Sequence, residues 1–201
     1  MRYVSIDIET LGLDPDRHDI VEFGAVLDNL KVDKQVEHLP VFHRVIYSEE
    51  DSYRGSAYAM KMHHRIFELL ADRTVKPDLF CTKATLFADF GEWLISQGFL
   101  PHMDGVLRIQ VAGKNFASFD RQFLEKQCRV GDEMFSKFHI EFGHRVLDPG
   151  MLYFDPRIDN AVPSMSECQR RAGFDDLVAH TAVDDARMVC RLLRKKLTLW
   201  A

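Results

Sequence analysis

The chain has 201 residues, 46% apolar and 28% charged, which is ordinary for a globular protein of one domain over residues 1–201. Its net charge of −5 argues against a broad basic surface holding long duplex, though not against a small site gripping a strand end. The four cysteines include no C-x-x-C pair, no apolar run approaches membrane-spanning length, and strand-like residues begin at the N-terminus with no room for a signal peptide; zinc-finger, disulfide-framework and membrane readings are therefore disfavoured, and a cytoplasmic protein is expected.

In chain order, residues 3–9 alternate as a strand, with Tyr3, Ser5, Asp7 and Glu9 on one face and Val4, Ile6 and Ile8 on the other. A turn rich in Gly, Pro and Asp follows, and residues 20–30 read as a second strand returning as a hairpin. Residues 41–47 read as a third strand, and 48–52 as an acidic surface loop. One helix is expected over 57–71, then irregular chain to Cys81 with Pro77 as a breaker. The segment at about 50–83 is longer and less typical than expected. Residues 84–97 carry Leu86, Phe87, Phe90, Trp93 and Leu94 at helical spacing, with Gly98 as the stop.

Residues 106–112 read as one buried strand, and Gly113-Lys114-Asn115 turns the chain into a helix over 118–128 with Ser118 as its cap. Residues 138–147 carry strand signals, ended by Asp148-Pro149. A short helix over 163–172 closes at Gly173. Thr181 caps the last helix, with Asp184 completing an approximate capping box. Arg191, Arg194, Lys195 and Lys196 near its end are read as a solvated face that suits the helix dipole. Strands dominate early and helices later, which predicts a mixed α/β sheet.

Asp7 and Glu9, two residues apart on one strand face, repel each other, and an apolar flank raises the cost of charging either. A divalent cation would relieve both penalties. Asp120 and Asp185 each fall near the start of a helix. His180 precedes Asp185 by five residues, a step of about 500° on a continuous helix, so the two converge only if His180 lies in the loop before the helix. Taken singly, each of these residues has a bland explanation as a dipole partner or a loop histidine. Together, four carboxylates can hold two Mg2+ or Mn2+ ions for in-line phosphoryl displacement, and a histidine can take the proton of the attacking water.

Three motifs then stand in order: Asp7-Ile8-Glu9-Thr10, continuing through Leu11-Gly12-Leu13-Asp14; Gly113 to Asp120; and His180-Thr181-Ala182-Val183-Asp184-Asp185-Ala186. In them the chain resembles the DEDDh 3′–5′ exonucleases, the group of proofreading exonuclease subunits, oligoribonuclease and ribonuclease T. Val146-Leu147-Asp148 and the helix closing at Gly173 are similar to the family's connecting elements. The resemblance implies a ribonuclease-H-like fold, a five-stranded mixed sheet flanked by helices. It implies that Asp7, Glu9, Asp120 and Asp185 bind two Mg2+ or Mn2+ ions, and that His180 is the general base. It also implies a single-stranded DNA or RNA 3′ end as partner, met by Thr10, Leu11, Gly12, Asn115 and Phe116, with Met62 and His63 near a substrate-side histidine and apolar wedge. Leu11 stands where many members have a second threonine, and could pack against the terminal base. The competing readings are an exoribonuclease for short RNA or RNA 3′ tails, a non-catalytic nucleic-acid-binding homologue, and a two-metal phosphoesterase on small nucleotides.

Overall fold

The structure, a computed structural model, describes residues 1–128, 139–174 and 181–197. Strand β1 (Arg2–Thr10) pairs antiparallel with β2 (Ile20–Asn29), and β2 pairs antiparallel with β3 (Val41–Ile46). On the outer edge, β4 (Phe80–Cys81) runs parallel to β3. On the other side of β1, β5 (Val106–Ile109) and β6 (Val111–Ala112) follow each other, and β6 pairs parallel with β1. The five-stranded mixed sheet has the order β4-β3-β2-β1-β6, and β5 pairs with β7 (His139–Phe142) as a separate parallel pair.

Both faces of this sheet are covered, so β2 is buried along nearly its whole length and reads as a continuous apolar run. One face carries Val4, Ile6, Ile8, Phe23 and Phe42, which meet Phe87, Phe90 and Leu94 of α3 (Leu86–Ser96) and Phe123 and Leu124 of α4 (Asp120–Gln127). The opposite face carries Tyr3 and Val26 beneath Ala186, Val189, Cys190 and Leu193 of α7 (Ala182–Leu197). Between α4 and α7 in the chain lie α5 (Pro149–Tyr153) and α6 (Met165–Ala172), the latter capped by Ser164 and closed by Gly173 at φ 74°. The terminating glycine matches the expectation, because only glycine takes the left-handed cap at no steric cost.

Several local expectations are corrected. The helix expected over 57–71 is two helices, α1 (Ala57–Met62) and α2 (His64–Ala71), broken at His63. No proline or glycine marks the break. Tertiary contacts accompany it, for His63 and Arg65 turn toward Glu9 and Glu22. The irregular stretch before Cys81 contains β4, too short for a periodic signal. The single strand over 106–112 changes partner at Gln110, whose carbonyl accepts the Val4 N–H at 2.9 Å. Ser118 does not cap α4. Its hydroxyl donates to the Asn115 carbonyl, and the helix starts at Asp120 without a side-chain cap. Arg194 is not solvated. It is 7% exposed and donates to Asp28 at 2.6 Å and 3.0 Å. Thr181 does cap α7, accepting the Asp184 N–H at 3.1 Å while its hydroxyl donates to the Asp184 carboxylate.

The segment 50–83 is tied to the loop after β1. Asp19 and Arg54 exchange backbone and side-chain hydrogen bonds, Lys83 donates to Asp19 at 2.7 Å, and the Ser56 N–H donates to the Leu11 carbonyl. Ile66 and its neighbours on α2 then close over Leu11, Val21 and Val45. Among the described residues no helix is long and apolar enough to cross a membrane.

Candidate metal-dependent active site

Strand pairing builds the first part of the site. Beyond Ser5, β1 loses β6 as its neighbour, because β6 ends at Ala112 and Gly113 turns the chain away. A Cβ at Gly113 would stand 2.8 Å from the Ile6 carbonyl, so the close approach needs glycine. The Ile8 N–H is thereby freed from the ladder, and it donates to the Asp120 carboxylate at 3.2 Å. This bond brings the start of α4 to the end of β1.

The α7 side is built by β2. Gly24 lies opposite Asp7 and Glu22 opposite Glu9 in the ladder. A Cβ at Gly24 would fall 2.3 Å from the Ala182 carbonyl carbon, so the first turn of α7 rests on bare backbone. The Ala182 N–H donates to Glu22 at 3.1 Å. Seated there, α7 presents Asp185 to β1. One carboxylate oxygen from each of Asp7, Glu9 and Asp185 lies within 4.8 Å of the other two.

Crowding three acids in a half-buried place makes each hard to ionise. Desolvation, then the charge of Asp120 and of the neighbouring acids, holds Asp7 well above the usual carboxylate range. Glu9 is pushed up to about 8, first by burial and then by Asp185 and Glu22, with Arg65 acting against them. Asp120 is pushed up to about 7 by burial, despite its backbone hydrogen bonds, with Asp148 adding to the shift. A set of oxygen donors whose mutual repulsion a cation would cancel, with no thiolate among them, fits a hard divalent ion such as Mg2+ or Mn2+.

The other expected site residues divide. His63 Nε2 lies 3.6 Å from Glu9 Oε2, so the break between α1 and α2 brings it to the site. Met62, beside it in sequence, is 47% exposed. The Thr10 hydroxyl donates to the Gly12 carbonyl at 2.7 Å and shapes the turn after β1. Asn115 is exposed at φ 61°, and its N–H donates to Asp148 at 2.9 Å. Leu11 and Phe116 are corrections. Both are fully buried, Leu11 among Val21, Val45 and Ile66, and Phe116 edge-on to Phe142 at 5.4 Å. His180 lies outside the described residues.

Two groups were missed. Glu22 is fully buried and receives His43 Nε2 at 2.8 Å and Arg65 at 2.9 Å and 3.0 Å besides Ala182. Burial pushes this carboxyl up, but the hydrogen bonds from His43, Arg65 and Ala182 outweigh it and hold Glu22 below the usual range. A carboxylate between Val21 and Phe23, near the start of β2, was its available signal. Asp148 accepts from both Asn115 and Gly150, caps α5, and faces Asp120 electrostatically.

No protein-family model matches the chain, and no curated protein sequence does either. Solved structures do. The nuclease domain of 3′hExo, a DEDDh family member bound to rAMP, superposes with a TM-score of 0.69 at 16% identity, over 98% of this chain and 91% of that one. S. pombe Pop2p, in a form with Mg2+ and Mn2+ bound, gives 0.59 at 13% identity over 96% and 81%. E. coli Exonuclease I in complex with a 5cy-dA13 oligonucleotide gives 0.60 at 13% identity, over 96% of this chain and 40% of that protein. The chain therefore shares the fold of these structures, with the five-stranded mixed sheet flanked by helices that the resemblance implied.

Proposed function

We propose that this chain is a divalent-metal-dependent 3′–5′ exonuclease that shortens single-stranded nucleic acid and releases nucleoside 5′-monophosphates. The observation that carries this reading is the convergence of Asp7, Glu9 and Asp185 within 4.8 Å, on a half-buried site where their charges oppose one another. Asp120, joined to β1 through the Ile8 N–H, completes a set of four carboxylates for two ions. Bound Mg2+ or Mn2+ would lower the pKa of the attacking water and stabilise the leaving oxygen.

The chain's own groups do the rest. Asp7, Glu9, Asp120 and Asp185 hold the charge and fix the place of the scissile phosphate. His180, which immediately precedes the Thr181 cap in sequence, takes the water proton as general base. His63 at Glu9 and the exposed Met62 form the substrate-side wall, and Thr10, Gly12 and Asn115 supply turn and backbone groups around it. Affinity comes from a few contacts at the strand end, in keeping with the net charge of −5. The Mg2+ and Mn2+ of Pop2p, the rAMP of 3′hExo and the oligonucleotide of Exonuclease I support the same reading.

The test is digestion of 5′-labelled single-stranded DNA and RNA with Mg2+. A ladder shortening stepwise from the 3′ end is expected, with duplex interiors resistant. Cutting that ignores a blocked 3′-hydroxyl, or that opens a circular single strand as fast as a linear one, would refute the exonucleolytic reading.

A further inference from the structure

Glu22 has no place among the four carboxylates, yet it is the fully buried acid nearest them in the sheet, directly opposite Glu9. A fifth negative charge there should weaken folding, since it adds to the repulsion already acting on Glu9 and Asp7. Two features offset it. Arg65 of α2 donates to both its oxygens, and His43 Nε2 of β3 donates at 2.8 Å. The same carboxylate takes the Ala182 N–H, one of the first N–H groups of α7, which lack helical partners. One buried side chain thus joins three elements: α2 from the atypical segment, β3, and the helix that carries Asp185.

We infer that Glu22 and Arg65 are a charge-balanced positioning pair for the metal site, an inference that rests on the metal-dependent reading above. Glu22 seats the first turn of α7 against β2, beside the bare backbone of Gly24, so that Asp185 meets Asp7 and Glu9. Arg65 cancels the charge of Glu22, so the seating group does not alter the net charge offered to the ions. Because Arg65 follows the break at His63 by two residues, the same local geometry delivers His63 to Glu9 and the guanidinium to Glu22. The segment 50–83 is in this way coupled to the acidic site through two carboxylates, Glu9 and Glu22.

The charge role and the seating role separate experimentally. In Glu22→Gln the amide oxygen still accepts from Ala182, but the guanidinium is left uncompensated near the ions. Calorimetric titration of the metal-free protein with Mn2+ should show binding weakened by about tenfold. Adding Arg65→Gln to that variant should restore the affinity towards wild type, because the pair is then neutral again. In Glu22→Ala the acceptor itself is lost, so amide hydrogen exchange at Ala182 should accelerate, and Arg65→Gln should not recover Mn2+ binding. If the double variant Glu22→Gln with Arg65→Gln binds Mn2+ more weakly than either single variant, the charge-balance role is overturned and the residues are ordinary packing. Unchanged exchange at Ala182 in Glu22→Ala overturns the seating role. If the wild type itself takes up no Mn2+, the metal-dependent reading fails and the charge role with it, while the exchange measurement still decides the seating role.

Discussion

Glu9→Gln tests whether the acidic cluster is built for a cation and not for the fold. The Glu9 side chain is 15% exposed, so its charge is poorly screened. In the folded, metal-free protein its pKa is about 8, against 4.5 for an unperturbed glutamate. Below pH 4.5 both the folded and unfolded chains hold this proton. As pH rises towards 8 the unfolded chain releases it while the folded chain keeps it, so stability is lost across that window and the loss is complete above 8. Taken alone, the shift costs the folded state roughly 5 kcal/mol at pH 9 and about 0.8 kcal/mol at pH 5. Glutamine keeps the shape and removes the charge. Urea unfolding in the presence of a chelator should therefore find Glu9→Gln more stable than wild type by roughly 2–5 kcal/mol at pH 9, and nearly equal at pH 5. Mn2+ at a hundred times its Kd should narrow that gap, since it stabilises wild type by about 2.7 kcal/mol and the variant has lost a donor. A variant equal to or weaker than wild type at pH 9 without metal would refute the reasoning.

Gly24→Ala forces a Cβ into the α7 backbone, so it should cost about 1–3 kcal/mol in thermal or urea unfolding and also weaken Mn2+ binding; wild-type behaviour in both would show that α7 does not depend on that contact. His180→Ala should slow strand shortening by about 10²–10⁴ with metal binding intact, and a rate equal to wild type between pH 6 and 9 would remove it from the mechanism. Phe116→Ala should lower stability by about 3–5 kcal/mol as a core truncation and leave the KM for a single-stranded oligonucleotide unchanged; a KM effect without a stability loss would restore Phe116 to the substrate surface.

What could be read from the sequence follows the range of the physical signal. Asp7 and Glu9 were legible because strand alternation is local, and Asp185 through the spacing of the third motif. The hairpin of the first two strands, and the helix stop at Gly98, where φ is 79°, also rest on local chemistry. Leu11 and Phe116 were misjudged because an apolar side chain beside an acidic motif looks the same whether it lines a cleft or fills a core. Arg194 was misjudged for a related reason, as its partner Asp28 is 166 residues away. Glu22 needed the hairpin register and a partner 43 residues distant before its role could be seen. The break at His63 carries no proline or glycine signal, and β4 is two residues long, so tertiary pairing decides both.

The central claim, that these carboxylates are a two-ion site, is tested most directly by counting ions. Metal-free wild type titrated with Mn2+ in the presence of a nucleoside 5′-monophosphate should take up two ions per chain, and Asp7→Ala, folded as judged by its unfolding curve, should lose saturable binding. No saturable uptake by wild type, or the same uptake by Asp7→Ala, would contradict the account.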